Sequence, residues 1–279
     1  MRGRGDGVAD ERVTGMRVIG DGAGQPAPEG PSSAIGKAFT ALRILRASPV
    51  PVTLTALAKG IGIAPSSAHA ILGHLLAEGA VVQQRDKRYT LGPALFYLGA
   101  AFATGTPVYR SMWIELVHAA NELGVTAAVA VPWEGHHLVL NAHSGGKTDV
   151  AIPFGGRIPL GASSWGKVYY SWSGQAVPAK AIRYTDRSVT DRSALLAEIE
   201  ETRARGYAID EGEYADDVGG VCAPVTSANG YEGLVSLIAP LEQVHELGTD
   251  ALGQRLAGLA SRASLSLGDG DRLRFFGHR

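Results

Sequence analysis

Arg85, Lys87 and Arg88 crowd onto one polar run, Gln83-Gln84-Arg85-Asp86-Lys87-Arg88. Cations at this density suit a polyanion, because phosphate contacts supply most of the affinity of a protein for nucleic acid. Ser66, Ser67, His69 and His74 lie just before them. On one helix face these short donors and acceptors could meet base edges. Other groupings begin a chemistry without completing it. Gly161, Gly166 and Lys167 have the spacing of a phosphate-binding loop, but Val168 stands where a Mg²⁺-binding hydroxyl belongs, and Trp165 is awkward in a loop that must wrap phosphate. Gly146-Lys147-Thr148 fails because Asn141 replaces the first glycine. His136 and His137 are adjacent and would point to opposite faces of a strand. His143 could join one of them, but no Cys or carboxylate completes a tetrahedral metal set. Cys222 has no histidine tied to it by context, so a buried strand thiol is the simpler expectation. Glu198, Glu200 and Glu201 share a helix with Arg203 and Arg205 and read as a solvated face. No catalytic set, metal site or cofactor motif is expected.

The elements that would position the first group are readable. Residues 54–73 have the pattern of a helix-turn-helix. Leu57, Ala58 and Ile61 mark the inner face of a short helix, Gly62 allows a sharp turn, and Ile63 plugs it. Pro65 pre-sets the first turn of a second helix, with Ala64 or Ser66 near the cap. Ala68, Ile71, Leu72, Leu75 and Leu76 form the buried stripe of that helix, and Gly79 ends it. Such a helix is shaped to enter the DNA major groove. Val81-Val82 and Tyr89-Thr90-Leu91 then flank the polar run as a hairpin, a basic-tipped wing. A winged helix used only for protein contacts is the rival reading. Charge opposes it: residues 32–100 carry seven Lys/Arg against two acids, whereas residues 101–279 carry 15 against 20.

At 279 residues the chain fits about two domains. It is 45% hydrophobic and 19% charged, as expected of a protein with real cores. No apolar run approaches the roughly 20 residues that span a bilayer. The N-terminus lacks a secretory h-region and Cys222 is the only cysteine, which together point to the cytoplasm.

Residues 1–31 read as a disordered tail, 32–92 as the winged domain, 93–106 as a linker helix, 107–268 as a second domain and 269–279 as a C-terminal tail. A first helix is expected over 34–47, with Ile35, Ala38, Phe39, Leu42 and Leu45 on its core face. Thr104-Gly105-Thr106-Pro107 marks the domain boundary. The second domain reads as α+β: helices at 107–123, 164–172, 193–205 and 242–267, and strands at 125–131, 138–142, 207–210, 219–226 and 233–238.

The chain resembles the IclR family of transcriptional regulators from about Ile35 to Leu267. The resemblance rests on Ser66-Ser67-Ala68-His69, Arg88-Tyr89-Thr90-Leu91-Gly92, Ile158-Pro159-Leu160-Gly161-Ala162 leading to Gly166-Lys167, Arg203-Ala204-Arg205-Gly206-Tyr207, Asp210-Glu211-Gly212-Glu213 and Ala223-Pro224-Val225. It implies a winged helix-turn-helix, a linker helix and a GAF-like effector domain. It also implies a homodimer or homotetramer that binds a palindromic double-stranded DNA operator, expected as a repressor, and senses a small organic acid or aromatic metabolite. The DNA face carried over is Ser66, Ser67, His69 and His74 with Arg85, Lys87 and Arg88. Ala70 departs from the family, which usually has Arg there. Losing a direct contact of that kind removes on the order of 1–3 kcal/mol, so recognition would lean on the wing. The effector residues carried over are Ile158, Ser164, Trp165, Asp210, Gly220, Ser236 and Ile238. Gly220 falls where many members have Cys, and Trp165 is bulky for its position: it could stack an aromatic ligand or fill the cavity. An effector domain acting as an enzyme on its ligand is the alternative.

Overall fold

The structure is a computed structural model that describes residues 17–18 and 33–267. The chain divides into two compact units. One is Gly24–Thr104; the other joins Met1–Ala23 to Gly105–Arg279.

In the smaller unit, α1 (Ala34–Ala47) is capped by Ser33, whose hydroxyl accepts from Gly36 N–H at 3.0 Å. Thr53 caps α2 (Leu54–Ile61) in the same way. Gly62 then takes φ +77, and its N–H and that of Ile63 both return to Ala58 O at 3.0 Å. This left-handed residue makes the sharp turn, which any side chain with a Cβ would strain. Pro65 opens α3 (Pro65–Ala77) behind an Ala64 cap. The core joins Ala41 and Leu45 to Leu57, Ile61, Leu72, Val81 and Tyr89. Strands β2 (Val81–Gln83) and β3 (Tyr89–Leu91) pair antiparallel as the wing, and helix α4 (Pro93–Gly105) follows.

The core face expected for α1 is corrected. Ile35 is 73% and Phe39 56% exposed, whereas Thr40, Ala41 and Leu45 are buried. The helix carries two apolar stripes, and α2 and α3 cover the one through Ala41 and Leu45. On α4 only Ala103 is buried; Phe96, Tyr97 and Leu98 are 62–76% exposed.

The larger unit is built on a six-stranded antiparallel sheet in the order β7-β5-β4-β10-β9-β8. In chain order its elements are α5 (Pro107–Leu123), β4 (Thr126–Trp133), β5 (His136–Ser144), β6 (Val150–Ala151), β7 (Arg157–Pro159), α6 (Ser163–Trp172), α7 (Arg192–Arg205), β8 (Ala208–Glu211), β9 (Val218–Ser227), β10 (Gly230–Pro240), α8 (Leu241–Leu247) and α9 (Thr249–Ser266). Glu134 and Gly135, at φ +46 and +75, make the two-residue turn between β4 and β5. One face of the sheet presents Ala128, Ala130, Val139, Cys222, Leu234 and Ile238 to Trp165 and Val168 of α6. Residues of alternate register face α5 and α9: a Cβ on Gly233 would touch Val108 of α5.

Three expectations change. The helix expected over 242–267 is two helices, broken at Gly248 (φ 80, ψ 106). Glu198 is no part of a solvated face, because its carboxylate turns inward to Lys167. Within the tail expected over 1–31, Arg17–Val18 (β1) pairs parallel with β6; backbone pairing requires no apolar period. The rest of that tail and the one at 269–279 lie outside the described residues. None of the described helices is long and apolar enough to cross a membrane.

Candidate nucleic-acid face and effector cavity

Ser66, Ser67, His69 and His74 are all exposed on α3, and Ala70 lies among them. The helix presents no Lys or Arg on that face. The wing supplies them. Gln84 N–H donates to Arg88 O at 2.8 Å and Lys87 N–H to Gln84 O at 2.9 Å, with Lys87 in the left-handed region at φ +64. Arg85 and Lys87 stand in solvent without an ion pair among the described residues. Arg88 differs. Its Nε lies 3.4 Å from Asp86 Oδ2, its backbone N–H donates to Asp86 Oδ1 at 3.1 Å, and its guanidinium reaches Pro51 O at 3.5 Å. It shapes the wing as well as charging it.

A cavity opens in the larger unit where β7 leads into α6. Ile158, Ser164, Trp165, Asp210, Gly220 and Ile238 all line it, so six of the seven expected effector residues are brought together. It encloses about 390 Å³ of unfilled space with its mouth included; the solvent-sized interior is about 30 Å³. Ser236 does not line it. That side chain is fully buried on the same sheet face, two residues before Ile238, and its hydroxyl has no partner among the described residues. Gly220 is needed as glycine: a Cβ would lie 2.4 Å from Leu237 O, so β9 and β10 approach too closely here for a side chain such as Cys.

Ala162, Ser163, Tyr214, Ala215, Val218 and Gly219 complete the wall and are not among the expected residues. Ser163 sits at φ +45, the strained first residue of α6, and its cap residue, Ala162, has no side chain to satisfy the helix N–H groups. A serine before a helical pattern is a readable signal; the Gly212–Asp217 loop that delivers Tyr214 has no period to read.

Asp210 is held between opposing effects. Burial pushes its carboxyl up, and the Ser163 hydroxyl, the Glu213 N–H at 2.8 Å and the charge of Lys167 oppose that. The net shift is upward. The Ser163 hydroxyl falls short of a full hydrogen bond to it. Behind Ser163, Lys167 Nζ is buried and reaches Glu198 and Glu213, each at 2.5 Å, and Ile209 O at 3.1 Å. Burial works against its charge, but the two carboxylates outweigh it and raise its pKa. The Gly166-Lys167 pair is therefore an internal ion-pair centre. Burial pushes Glu213 up to about 7.

His136 and His137 do part company. His136 contacts Arg157 at 2.9 Å near the surface. His137 is fully buried and accepts or donates at Tyr231 Oη, 3.1 Å away; burial lowers its pKa to about 3, so the imidazole is neutral. The Cys222 thiol is buried, and burial raises its pKa well above the ordinary value, so it stays protonated.

A winged helix-turn-helix followed by an α+β domain with a small cavity defines a class of DNA-binding regulator. Two family models match: the IclR helix-turn-helix domain over residues 34–85 and the bacterial transcriptional regulator IclR C-terminal domain over residues 114–265. The second spans more than half of the chain, and the chain belongs to the IclR family of DNA-binding transcriptional regulators. It is 27% identical to the glycerol operon regulatory protein of Streptomyces griseus, over 84% of this chain and 96% of that one. It is 28% identical to the HTH-type transcriptional regulator BhcR of Paracoccus denitrificans, over 80% and 77%. In fold it is similar to an IclR homologue of Microbacterium hydrocarbonoxydans solved with 4-hydroxybenzoate, at TM-score 0.71 and 17% identity, covering 84% of this chain and all of that one.

Proposed function

We propose that this chain is a cytoplasmic repressor that binds a palindromic operator as a homodimer or homotetramer and is released or retained by a small polar metabolite. It acts without catalysis. The observation that carries the sensing role is the convergence of Ser163, Asp210 and the uncapped start of α6 on one cavity. Helix N–H groups and a hydroxyl there offer donors to an acceptor such as a carboxylate. Asp210 offers an acceptor to a hydroxyl or amine elsewhere on the ligand, and so disfavours a plain dicarboxylate. Glycerol, in the name of one relative, and 4-hydroxybenzoate, bound to another, both carry hydroxyls.

The DNA role rests on Arg85, Lys87 and Arg88 beside the exposed face of α3. Fluorescence anisotropy of the full chain with duplex DNA tests it. Affinity should fall steeply between 50 and 200 mM salt, by about tenfold or more for a few phosphate contacts. Affinity independent of salt would contradict it.

A further inference from the structure

Gly73 stands in the middle of α3 with no reason for it inside this chain. A glycine in a helix interior costs stability relative to alanine. Its φ is not among the positive ones, and a Cβ added to it would meet nothing within 4 Å. The same unit has glycines that packing does require. A Cβ on Gly60 would lie 2.7 Å from Ile44 Cδ1, and one on Gly92 would lie 2.2 Å from Gly79 O. Gly73 is exposed, as are Ala70 and Ser66, one and two turns before it. These three share one line along the helix, and Ala68 and Leu72, turned away from that line, are buried. His69 and His74 stand one helical step to either side of it. The centre of the outward face of α3 thus carries nothing longer than a methyl or a hydroxyl. The helix has no Lys or Arg, the side chains that grip guanine O6 and N7.

We propose that α3 lies with its backbone close against the base edges of the major groove, Gly73 at the nearest approach, and that Ala70 selects thymine there through its 5-methyl group. The inference rests on the DNA-reading role of α3 proposed above and adds the base that it reads. Glycine is the residue that lets a backbone come close to a ligand, and the cost of Gly73 to the helix is then offset in the complex. Ala70 has no donor or acceptor, so the one major-groove feature it can favour is the apolar methyl of thymine. Affinity and sequence choice are divided between two elements. Arg85, Lys87 and Arg88 of the wing hold phosphates, which carry no sequence, and the shape of α3 chooses the bases.

The test starts from a duplex pool with a randomised centre, selected with the full chain. The most enriched duplex is resynthesised with uracil in place of thymine, one position at a time; uracil lacks only the 5-methyl group. Fluorescence anisotropy of the parent should show a half-site thymine whose replacement costs about fourfold in affinity, the worth of one buried methyl. Ala70→Gly should bind the thymine and uracil forms of that position alike. Gly73→Ala should bind the enriched duplex about tenfold more weakly, because its Cβ holds the helix off the bases. It should keep its affinity for a scrambled duplex of the same composition. Its smaller unit should melt at a higher temperature, because alanine is the better helix former. Weaker binding with higher stability is the signature of an approach to DNA. If Gly73→Ala lowers both, glycine serves packing and the proposal is overturned. It is overturned too if Gly73→Ala binds the enriched duplex as the parent does, or if no uracil replacement matters. If no duplex is enriched at all, the DNA-reading role of α3 itself fails.

Discussion

Glu213 links the effector cavity to the ion pair behind it. Its backbone N–H donates to Asp210 Oδ1 at 2.8 Å, and its carboxylate holds Lys167 Nζ at 2.5 Å. Asp210, which lines the cavity, and Lys167 are thus held by one short loop, and Lys167 in turn holds Glu198 of α7.

The pH dependence of stability should show this group. Glu213 faces Lys167 on α6, Glu198 on α7 and Asp210 on β8, and its backbone carbonyl accepts from Ser188 and Thr185. Its folded pKa of about 7 lies above the ordinary 4.5. The folded state therefore binds a proton that the unfolded chain releases. Stability from this source is present below about pH 4.5 and is lost as pH rises through 7. Urea unfolding of the parent should show an extra downward slope between pH 5 and 7, on the order of 2 kcal/mol in all, that Glu213→Gln lacks. Equal slopes would contradict the assignment.

Lys167→Met should destabilise the larger unit by about 3–5 kcal/mol, because it leaves carboxylates inside without their cation. Lys167→Met combined with Glu213→Gln should recover part of that loss. A single-variant cost below about 1 kcal/mol in urea titration would show that the lysine is dispensable.

In the wing, Arg85→Ala and Lys87→Ala should each weaken binding to all duplexes alike and lower the salt slope by about one. Arg88→Ala should do this and also lower the thermal midpoint, because it removes the contacts to Asp86 and Pro51 that set the turn. Anisotropy and calorimetry read the two effects separately.

Assembly should depend on the exposed apolar faces of the smaller unit. Ile35 and Phe39 lie one turn apart on α1, and Tyr97 and Leu98 project from α4. Light scattering should give a dimer or tetramer at micromolar concentration, and Phe39→Asp with Leu98→Asp should shift it toward monomer. A parent that is strictly monomeric would count against this face.

Much of the fold was legible because its signals are local. Ser33, Gly62 and Pro65 fix helix ends through their own backbone chemistry, and the α1, α2, α3 and α5 patterns follow from helical spacing. What was missed depends on distant neighbours. Ile35 and Phe39 have the right period for a core face, but which of two stripes is covered is decided by α2 and α3. Glu198 reads as a surface acid until Lys167 is placed beside it. The short strands at 17–18, 150–151 and 157–159 carry too few residues to show alternation. Six cavity residues carry over from the family resemblance, whereas Ser236 lies on the same sheet face but is fully buried outside the cavity lining.

Selection of duplexes from a randomised pool by the full chain, followed by sequencing, tests whether α3 reads an operator sequence. An inverted repeat with half-sites about one helical turn, roughly 34 Å, or a multiple of it apart should be enriched. Ser67→Ala and His69→Ala should change the enriched half-site, while Arg85→Ala should enrich the same sequence more weakly. A pool that shows no sequence enrichment, or enrichment indifferent to changes on α3, would contradict a DNA-reading role for this helix.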